Sequence, residues 1–205
     1  MLRIIIGIII SYFVGSIPTA YIFGRALKGI DIRKFGSGNI GATNAFRVLG
    51  RGPGITVLLL DVLKGLVTVV VLAKFFPGEL LWIIFGLTCV VGHIWTIFLG
   101  FKGGKGMATT LGVLLGLTFK IAGLKIVLGA AILIWLVTFI ASKIVSLSSI
   151  VSAVSLPILA IVFRQSAVLI SLSIVLSALV ILRHKPNIQR LLQGKEPRLN
   201  LKKTG

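Results

Sequence analysis

Residues 55–76, ITVLLLDVLKGLVTVVVLAKFF, decide the fold class. A helix needs about 20 mostly apolar residues to cross a hydrocarbon core of roughly 30 Å. This stretch is long enough, and its charges are only Asp61, Lys64 and Lys74. Working outward, comparable runs stand at 4–23, 80–99, 124–141, 144–163 and 167–182, with a shorter one at 107–119. Composition agrees: 57% of the 205 residues are hydrophobic and 13% charged. Soluble domains have about 45–50% and about 25%. The same figures exclude a disordered chain, and a lone cysteine, Cys89, excludes a disulfide scaffold or a cysteine zinc site. The expected architecture is all-α: one integral membrane domain, 1–205, with seven transmembrane helices.

Two of the runs are unusual. The 4–23 run is too long for a signal peptide and carries Pro18 in its interior. The 107–119 run would cover only about 20 Å as a helix, so it crosses only by extending through Lys120 with local thinning or snorkelling.

Charge sets the expected orientation. The chain has 22 Lys+Arg against 4 Asp+Glu, net +18. In a soluble protein that balance suggests nucleic acid; between apolar spans it follows the positive-inside rule, and no nucleic-acid partner is expected. With loops 25–52 and 100–106, Lys143 and the tail from 183 on one face, that face holds 16 of the 22 basic residues. The expectation is N-terminus outside and C-terminus in the cytoplasm, with polar segments 25–52, 100–106 and 183–198 on the cytoplasmic face.

Those segments are where chemistry is concentrated. Gly36-Ser37-Gly38-Asn39-Ile40-Gly41-Ala42-Thr43-Asn44, with Arg47 beyond, is dense in small residues and neutral donors. Its backbone N–H groups can converge on an anion, and Arg47 adds a bidentate donor; a flexible linker is the plainer alternative. Gly100-Phe101-Lys102-Gly103-Gly104-Lys105-Gly106 leads into Met107-Ala108-Thr109-Thr110. Glycines and a lysine before a helix start form a phosphate cradle. It is not a P-loop, because Gly106 stands where a magnesium-holding Ser/Thr belongs and no strand precedes it. The third segment carries His184, Lys185, Asn187 and Arg190, with Pro186 placed to open a short helix. A basic helix resting on anionic headgroups accounts for Lys195, Arg198, Lys202 and Lys203, but poorly for His184 and Asn187.

Three further polar residues lie inside spans. Asp61 and Lys64, three apart, can pair with each other. Charges at that depth read as functional or as a self-neutralising structural pair, and both readings stand. His93 fits an interhelical hydrogen bond better than a catalyst. Gly112 and Gly116 form a GxxxG pair suited to close helix packing, within or between chains.

The inventory also excludes chemistries. Four acids cannot supply paired carboxylates and a metal cage, so no metal site is expected. Neither histidine opens an HxxxxD pattern, since Phe98 follows His93 and Gln189 follows His184 at that spacing. No serine sits in a nucleophile elbow. A site rich in donors and cations but poor in bases suits a substrate that is already activated and phosphorylated.

The 36–44 segment, Gly103-Gly104-Lys105-Gly106-Met107-Ala108-Thr109, and 184–196 together resemble the three signature segments of the bacterial acyl-phosphate:glycerol-3-phosphate acyltransferases. The surroundings of Asp61, Lys64 and His93 look similar as well. The resemblance implies fatty acyl transfer from acyl phosphate to the 1-hydroxyl of glycerol 3-phosphate, giving lysophosphatidic acid and phosphate in phospholipid biosynthesis. It implies no cofactor, membrane lipids as surroundings, no obligate protein partner and a bacterial inner-membrane location.

On that basis Ser37, Gly38, Asn39, Gly41 and Thr43, with the Gly103–Gly104 backbone, are expected to hold acyl phosphate and stabilise developing charge. Arg47, Lys105, Asn187 and His184 are expected to clamp glycerol 3-phosphate. Asn44, Gly106, Thr109, Lys185 and Arg190 complete the expected phosphate-binding set, with Asp61, Lys64 and His93 supporting. The expected mechanism is direct attack, the proton passing to a substrate phosphate oxygen or to His184. A membrane transporter of phosphate or organophosphate is the alternative from another class.

Overall fold

The computed structural model describes residues 1–199, and among these the structure is helical, without strands. Lys202 and Lys203, expected on a headgroup surface, lie outside the described residues. The chain divides into two compact units, 1–119 and from 120 onward.

The first unit holds α1 (Leu2–Ser16), α2 (Thr19–Lys28), α3 (Ala42–Leu49), α4 (Arg51–Phe75), α5 (Glu79–Ile94) and α6 (Met107–Thr118). Its burial pattern is inverted relative to a soluble protein. Helix α1 buries Gly7, Ser11, Gly15 and Ser16 and leaves Ile5, Ile6, Ile9, Ile10 and Phe13 exposed. Lipid is as apolar as isoleucine, so association comes from close packing and polar contacts instead of from hiding apolar surface. Gly15 lies against the Cys89 carbonyl and Gly92 against the Tyr12 carbonyl, which brings α1 and α5 backbone to backbone. Gly112 lies against the Val62 carbonyl and Gly116 against Val69, so the GxxxG pair packs α6 on α4 within this chain.

The expected single helix over 4–23 is broken. Pro18 has no N–H to continue the ladder, and α1 ends at Ser16 while α2 starts at Thr19. The break exposes the Ile17 carbonyl, which accepts from Thr19 N at 3.1 Å and from Lys64 Nζ at 3.0 Å.

The second unit holds α7 (Leu124–Ser142), α8 (Val145–Val162), α9 (Ala167–Arg183) and α10 (Lys185–Leu192). The α8 serines are its polar seam: Ser152 Oγ donates to the Ala131 carbonyl at 2.9 Å, and Trp135 Nε1 donates to Ser149 Oγ at 3.3 Å. Pro186 opens α10 as expected, and α10 bends 62° from α9.

All seven apolar runs are helical. Among the described residues, five stretches are long and apolar enough to cross a membrane, counting α1 and α2 as one, or six if the bent α9–α10 pair is one span. Helix α6, with 12 residues, is about 18 Å long, shorter than the hydrocarbon core.

Candidate anion-binding active site

The first polar segment is a built turn. Asp31 caps a 3-10 turn over Ile32–Lys34 by accepting from Arg33 N at 3.0 Å, and Arg33 Nη2 reaches the same carboxylate at 2.7 Å. The Arg33 hydrogen bond holds the Asp31 carboxyl down at about 2. Arg25 and Arg33 both stack over Tyr21, at 5.4 and 5.3 Å from the ring centre.

Asn44 organises the glycine-rich residues after that turn. It is 1% exposed, its Oδ1 accepts from Ser37 N at 2.8 Å, and its Nδ2 donates to the Phe35 and Ile32 carbonyls at 3.1 and 3.3 Å. Gly36 must be glycine on two counts: its φ is +60°, and a Cβ would overlap Asn44 Oδ1. Asn44, expected in the phosphate-binding set, makes all of these side-chain contacts within the turn and shapes it. Ser37 and Gly38 stand exposed at its tip, Asn39, Gly41 and Thr43 half-buried behind it, and Arg47 exposed on α3. Lys28 Nζ donates to the Val48 carbonyl at 2.8 Å, closing the C-terminal end of α3.

The second segment is pinned to α5. Gly103 N donates to the Ile94 carbonyl and Gly104 N to the His93 carbonyl, both at 3.0 Å. Those two N–H groups were expected to stabilise an oxyanion; they are instead spent on α5. By helix geometry the open donors fall further on, where α6 begins after Gly106: the N–H groups of its first three residues have no carbonyl in a preceding turn, while Thr110 N donates to the Gly106 carbonyl at 2.8 Å. Lys105 is half-buried just before that turn. On it, the Thr109 and Thr110 hydroxyls are buried and, among the described residues, have no hydrogen-bond partner. The two segments of this unit share one apolar cluster: Ile32, Ile40 and Ala45, which bracket the first turn, pack with Leu99, which precedes the second.

Behind the second segment lies a buried polar cluster. Asp61 Oδ1 accepts from Thr19 Oγ1 at 3.0 Å and pairs with Lys64 Nζ at 2.8 Å. Lys64 Nζ also lies 2.9 Å from His93 Nδ1. The expected Asp61–Lys64 pair forms, and His93 joins it.

In the second unit, His184 is 3% exposed and its Nδ1 lies 2.8 Å from the Val180 carbonyl. A carbonyl only accepts, so Nδ1 carries a proton, and in the neutral form of the ring the lone pair lies at Nε2. Lys185 is exposed. Asn187 and Arg190 converge on Glu196, at 2.5 and 2.7 Å, and Ser146 Oγ donates to the same carboxylate at 2.7 Å. Burial opposes charge on Glu196, but the bonds from Ser146, Asn187 and Arg190 hold its carboxyl below the usual range. Sequence reasoning missed Glu196 and Thr19. An acid alone in a basic tail was the available signal for the first; nothing in the sequence marked the second.

Known proteins resemble this chain over almost its whole length. Residues 5–194 match the family described as glycerol-3-phosphate acyltransferase. The glycerol-3-phosphate acyltransferase of Synechococcus sp. (strain CC9902) is 44% identical over 193 residues, covering 94% of each chain. Glycerol-3-phosphate acyltransferase 2 of Moorella thermoacetica (strain ATCC 39073 / JCM 9320) is 47% identical over 195 residues, 95% of this chain and 97% of the relative. The crystal structure of PlsY (YgiH), an integral membrane glycerol 3-phosphate acyltransferase, in its glycerol 3-phosphate form, aligns with TM-score 0.87 and 38% identity over 97% of this chain and 96% of that one. Its lysophosphatidic acid form aligns with TM-score 0.84 and 37% identity over the same shares. With matches of this extent, the chain belongs to the glycerol-3-phosphate acyltransferase family, integral membrane proteins of phospholipid biosynthesis.

Proposed function

We propose that this protein transfers a fatty acyl group from acyl phosphate to the 1-hydroxyl of glycerol 3-phosphate. The hydroxyl oxygen attacks the acyl carbon, the bond from that carbon to the phosphate oxygen breaks, and lysophosphatidic acid and inorganic phosphate result. A mixed anhydride has a good leaving group already, so the protein's task is to position two phosphates and stabilise developing charge. The observation that carries this reading is the start of α6: half-buried Lys105, open first-turn N–H groups, and the buried, unbonded Thr109 and Thr110 hydroxyls. Phosphate is the ligand that such a set satisfies.

Roles follow from placement. The exposed turn tip, Ser37 and Gly38, with Asn39, Gly41 and Thr43, holds the donor's phosphate; Arg47 and Lys105 meet glycerol 3-phosphate. The acyl chain lies in a cavity of about 390 Å³ between the α1–α2 break and α4, lined by Ile17, Ile22, Phe23, Leu60, Leu63 and Val67. The hydroxyl proton passes to a substrate phosphate oxygen. His184 is the second acceptor, and the Val180 carbonyl favours it by directing the ring lone pair to Nε2. A His184→Ala variant separates them: a fall in kcat of only a few-fold excludes His184 as the essential base. The topology proposed is seven crossings, N-terminus outside, with the polar segments facing the cytoplasm of a bacterial inner membrane.

The deciding experiment measures phosphate release from palmitoyl phosphate by the purified protein, with and without glycerol 3-phosphate and without added metal. Release that requires the acceptor and yields lysophosphatidic acid is expected. Equal release without acceptor means a hydrolase, and equal transfer from palmitoyl-CoA overturns the donor assignment. No release returns a phosphate transporter to the front.

A further inference from the structure

The Asp61–Lys64–His93 cluster has more structure than helix association requires. Asp61 is 1% exposed, Lys64 8% and His93 6%. A buried ion pair is weak evidence for stability, because desolvation offsets most of its attraction and apolar side chains of similar volume serve as well. Charge at membrane depth therefore asks for another reason.

The donors of Lys64 are fully used. An ammonium has three N–H groups, and Nζ has three acceptors: the Ile17 carbonyl at 3.0 Å, Asp61 Oδ1 at 2.8 Å and His93 Nδ1 at 2.9 Å. None remains for a substrate. Because Nδ1 accepts from Lys64, the imidazole is neutral and its proton sits on Nε2. The ring's orientation is thus set from behind. The Nε2 edge abuts Gly104 so closely that a Cβ there would overlap it, and a Cβ on Gly103 would overlap the His93 and Ile94 carbonyls. Both residues are glycine because α5 and this ring occupy the space a side chain needs.

We propose that Asp61, Lys64 and His93 form a buried strut, with the His93 ring as the wall that sets the position of the Gly103–Gly104 backbone and hence of Lys105 and the start of α6. His93 is a positioning residue for the phosphate that this turn holds. The inference rests on the functional reading above, in which that phosphate belongs to glycerol 3-phosphate. It differs from a purely structural role in what must be preserved: a structural His93 needs only to satisfy Lys64, whereas a positioning His93 must present an edge to Gly104.

Two conservative variants pull these roles apart. His93→Asn places an amide oxygen near Nδ1, keeping the Lys64 acceptor and losing the edge. His93→Gln places an amide near Nε2, keeping the edge and losing that acceptor. With full-length protein in detergent, KM for glycerol 3-phosphate and for palmitoyl phosphate, thermal stability, and amide hydrogen exchange of 103–106 are measured for each. The expected result is a KM for glycerol 3-phosphate raised about tenfold or more in His93→Asn and near wild type in His93→Gln, because small misplacements of a binding group cost that much. Stability is expected in the opposite order, and exchange at Gly103 and Gly104 faster only in His93→Asn.

A second measurement uses Gly104→Ala, whose methyl meets the ring. Its raised KM is expected to recover in part when His93→Asn is added, since trimming the ring makes room. If KM and stability fall in the same order across the two variants, or if exchange at 103–106 is unchanged in His93→Asn, the strut is overturned. Faster exchange with both KM values unchanged overturns its link to substrate. Exchange reads the strut without any turnover. A wild-type protein lacking acceptor-dependent phosphate release would overturn the functional reading separately.

Discussion

The side-chain oxygen of Asn44 accepts the backbone N–H of Ser37 at 2.8 Å across seven residues, and the Asn44 amide nitrogen ties down the Phe35 and Ile32 carbonyls. One buried amide thereby satisfies a donor and two acceptors of an otherwise irregular turn. Asn44→Asp keeps the acceptor and removes both donations, leaving two carbonyls facing a carboxylate. The expected cost is about 1–3 kcal/mol for the unsatisfied buried groups, together with a fall in kcat/KM of at least about tenfold from the displaced Ser37. Thermal melting and steady-state kinetics measure the two effects; unchanged kinetics in a folded protein would remove Asn44 from the support of the site.

Glu196 gives a prediction in pH. Burial opposes its charge, and bonds from Ser146, Asn187 and Arg190 outweigh that opposition, so its folded carboxyl lies below the usual carboxylate range. The sign follows from linkage. A lowered folded value adds stability that is fully present above the unfolded value, about 4.3, and is lost as pH falls through the folded value. Glu196→Gln is expected to be destabilised at neutral pH by about 1–3 kcal/mol through loss of the charged bond to Arg190. The gap should close in acid, as the wild-type carboxyl takes up its proton. Denaturation of both proteins across pH 2–7 checks this, and a gap that stays constant with pH would refute it.

The packing of α6 on α4 ranks two glycines. A Cβ at Gly112 would overlap the Val62 carbonyl, which is backbone and cannot yield locally, whereas one at Gly116 meets Val69 Cβ at 2.9 Å and the Leu66 carbonyl at 3.1 Å. Gly112→Ala is therefore expected to lower stability by about 1–3 kcal/mol, as overpacking does, and Gly116→Ala by less. Because α6 starts at the proposed phosphate site, Gly112→Ala is also expected to lower activity more than Gly116→Ala. Melting temperatures and kcat/KM, measured side by side, test both orders.

The cavity between the α1–α2 break and α4 predicts a change in chain preference. Leu60 lines it, and Leu60→Trp narrows it. The variant is expected to lose about tenfold in kcat/KM with palmitoyl phosphate while retaining activity with a shorter acyl phosphate, since a methylene or two in an apolar pocket is worth about 1–3 kcal/mol. Equal losses with both donors would place the acyl chain elsewhere.

Much of the fold was legible in the sequence. Hydropathy alone located seven apolar runs, all of them helical though the first is broken at Pro18, because a helix facing lipid must be apolar over its whole length. Pro18, inside the first run, did more than its neighbours suggested: the helix break it causes leaves the Ile17 carbonyl in need of a donor within lipid, and Lys64, 47 residues on from Ile17, supplies it. The three polar segments stood out because glycine, asparagine and cations have no place at that density in a membrane helix.

What the sequence determined by itself was the class of solvent, the placement of the helices, the polar segments and, through resemblance, the chemistry expected of them. Tertiary structure alone decided which polar atoms remain open to a ligand. Asn44, Gly103 and Gly104 have the composition of an anion site, yet their donors are spent on Phe35, Ile32, Ile94 and His93. The hydroxyls of Thr109, expected in the phosphate-binding set, and of Thr110, which was not, are buried and among the described residues have no hydrogen-bond partner. The physical reason is that residue type states how many hydrogen bonds a group can make, whereas the approach of distant backbone decides which of them are already made.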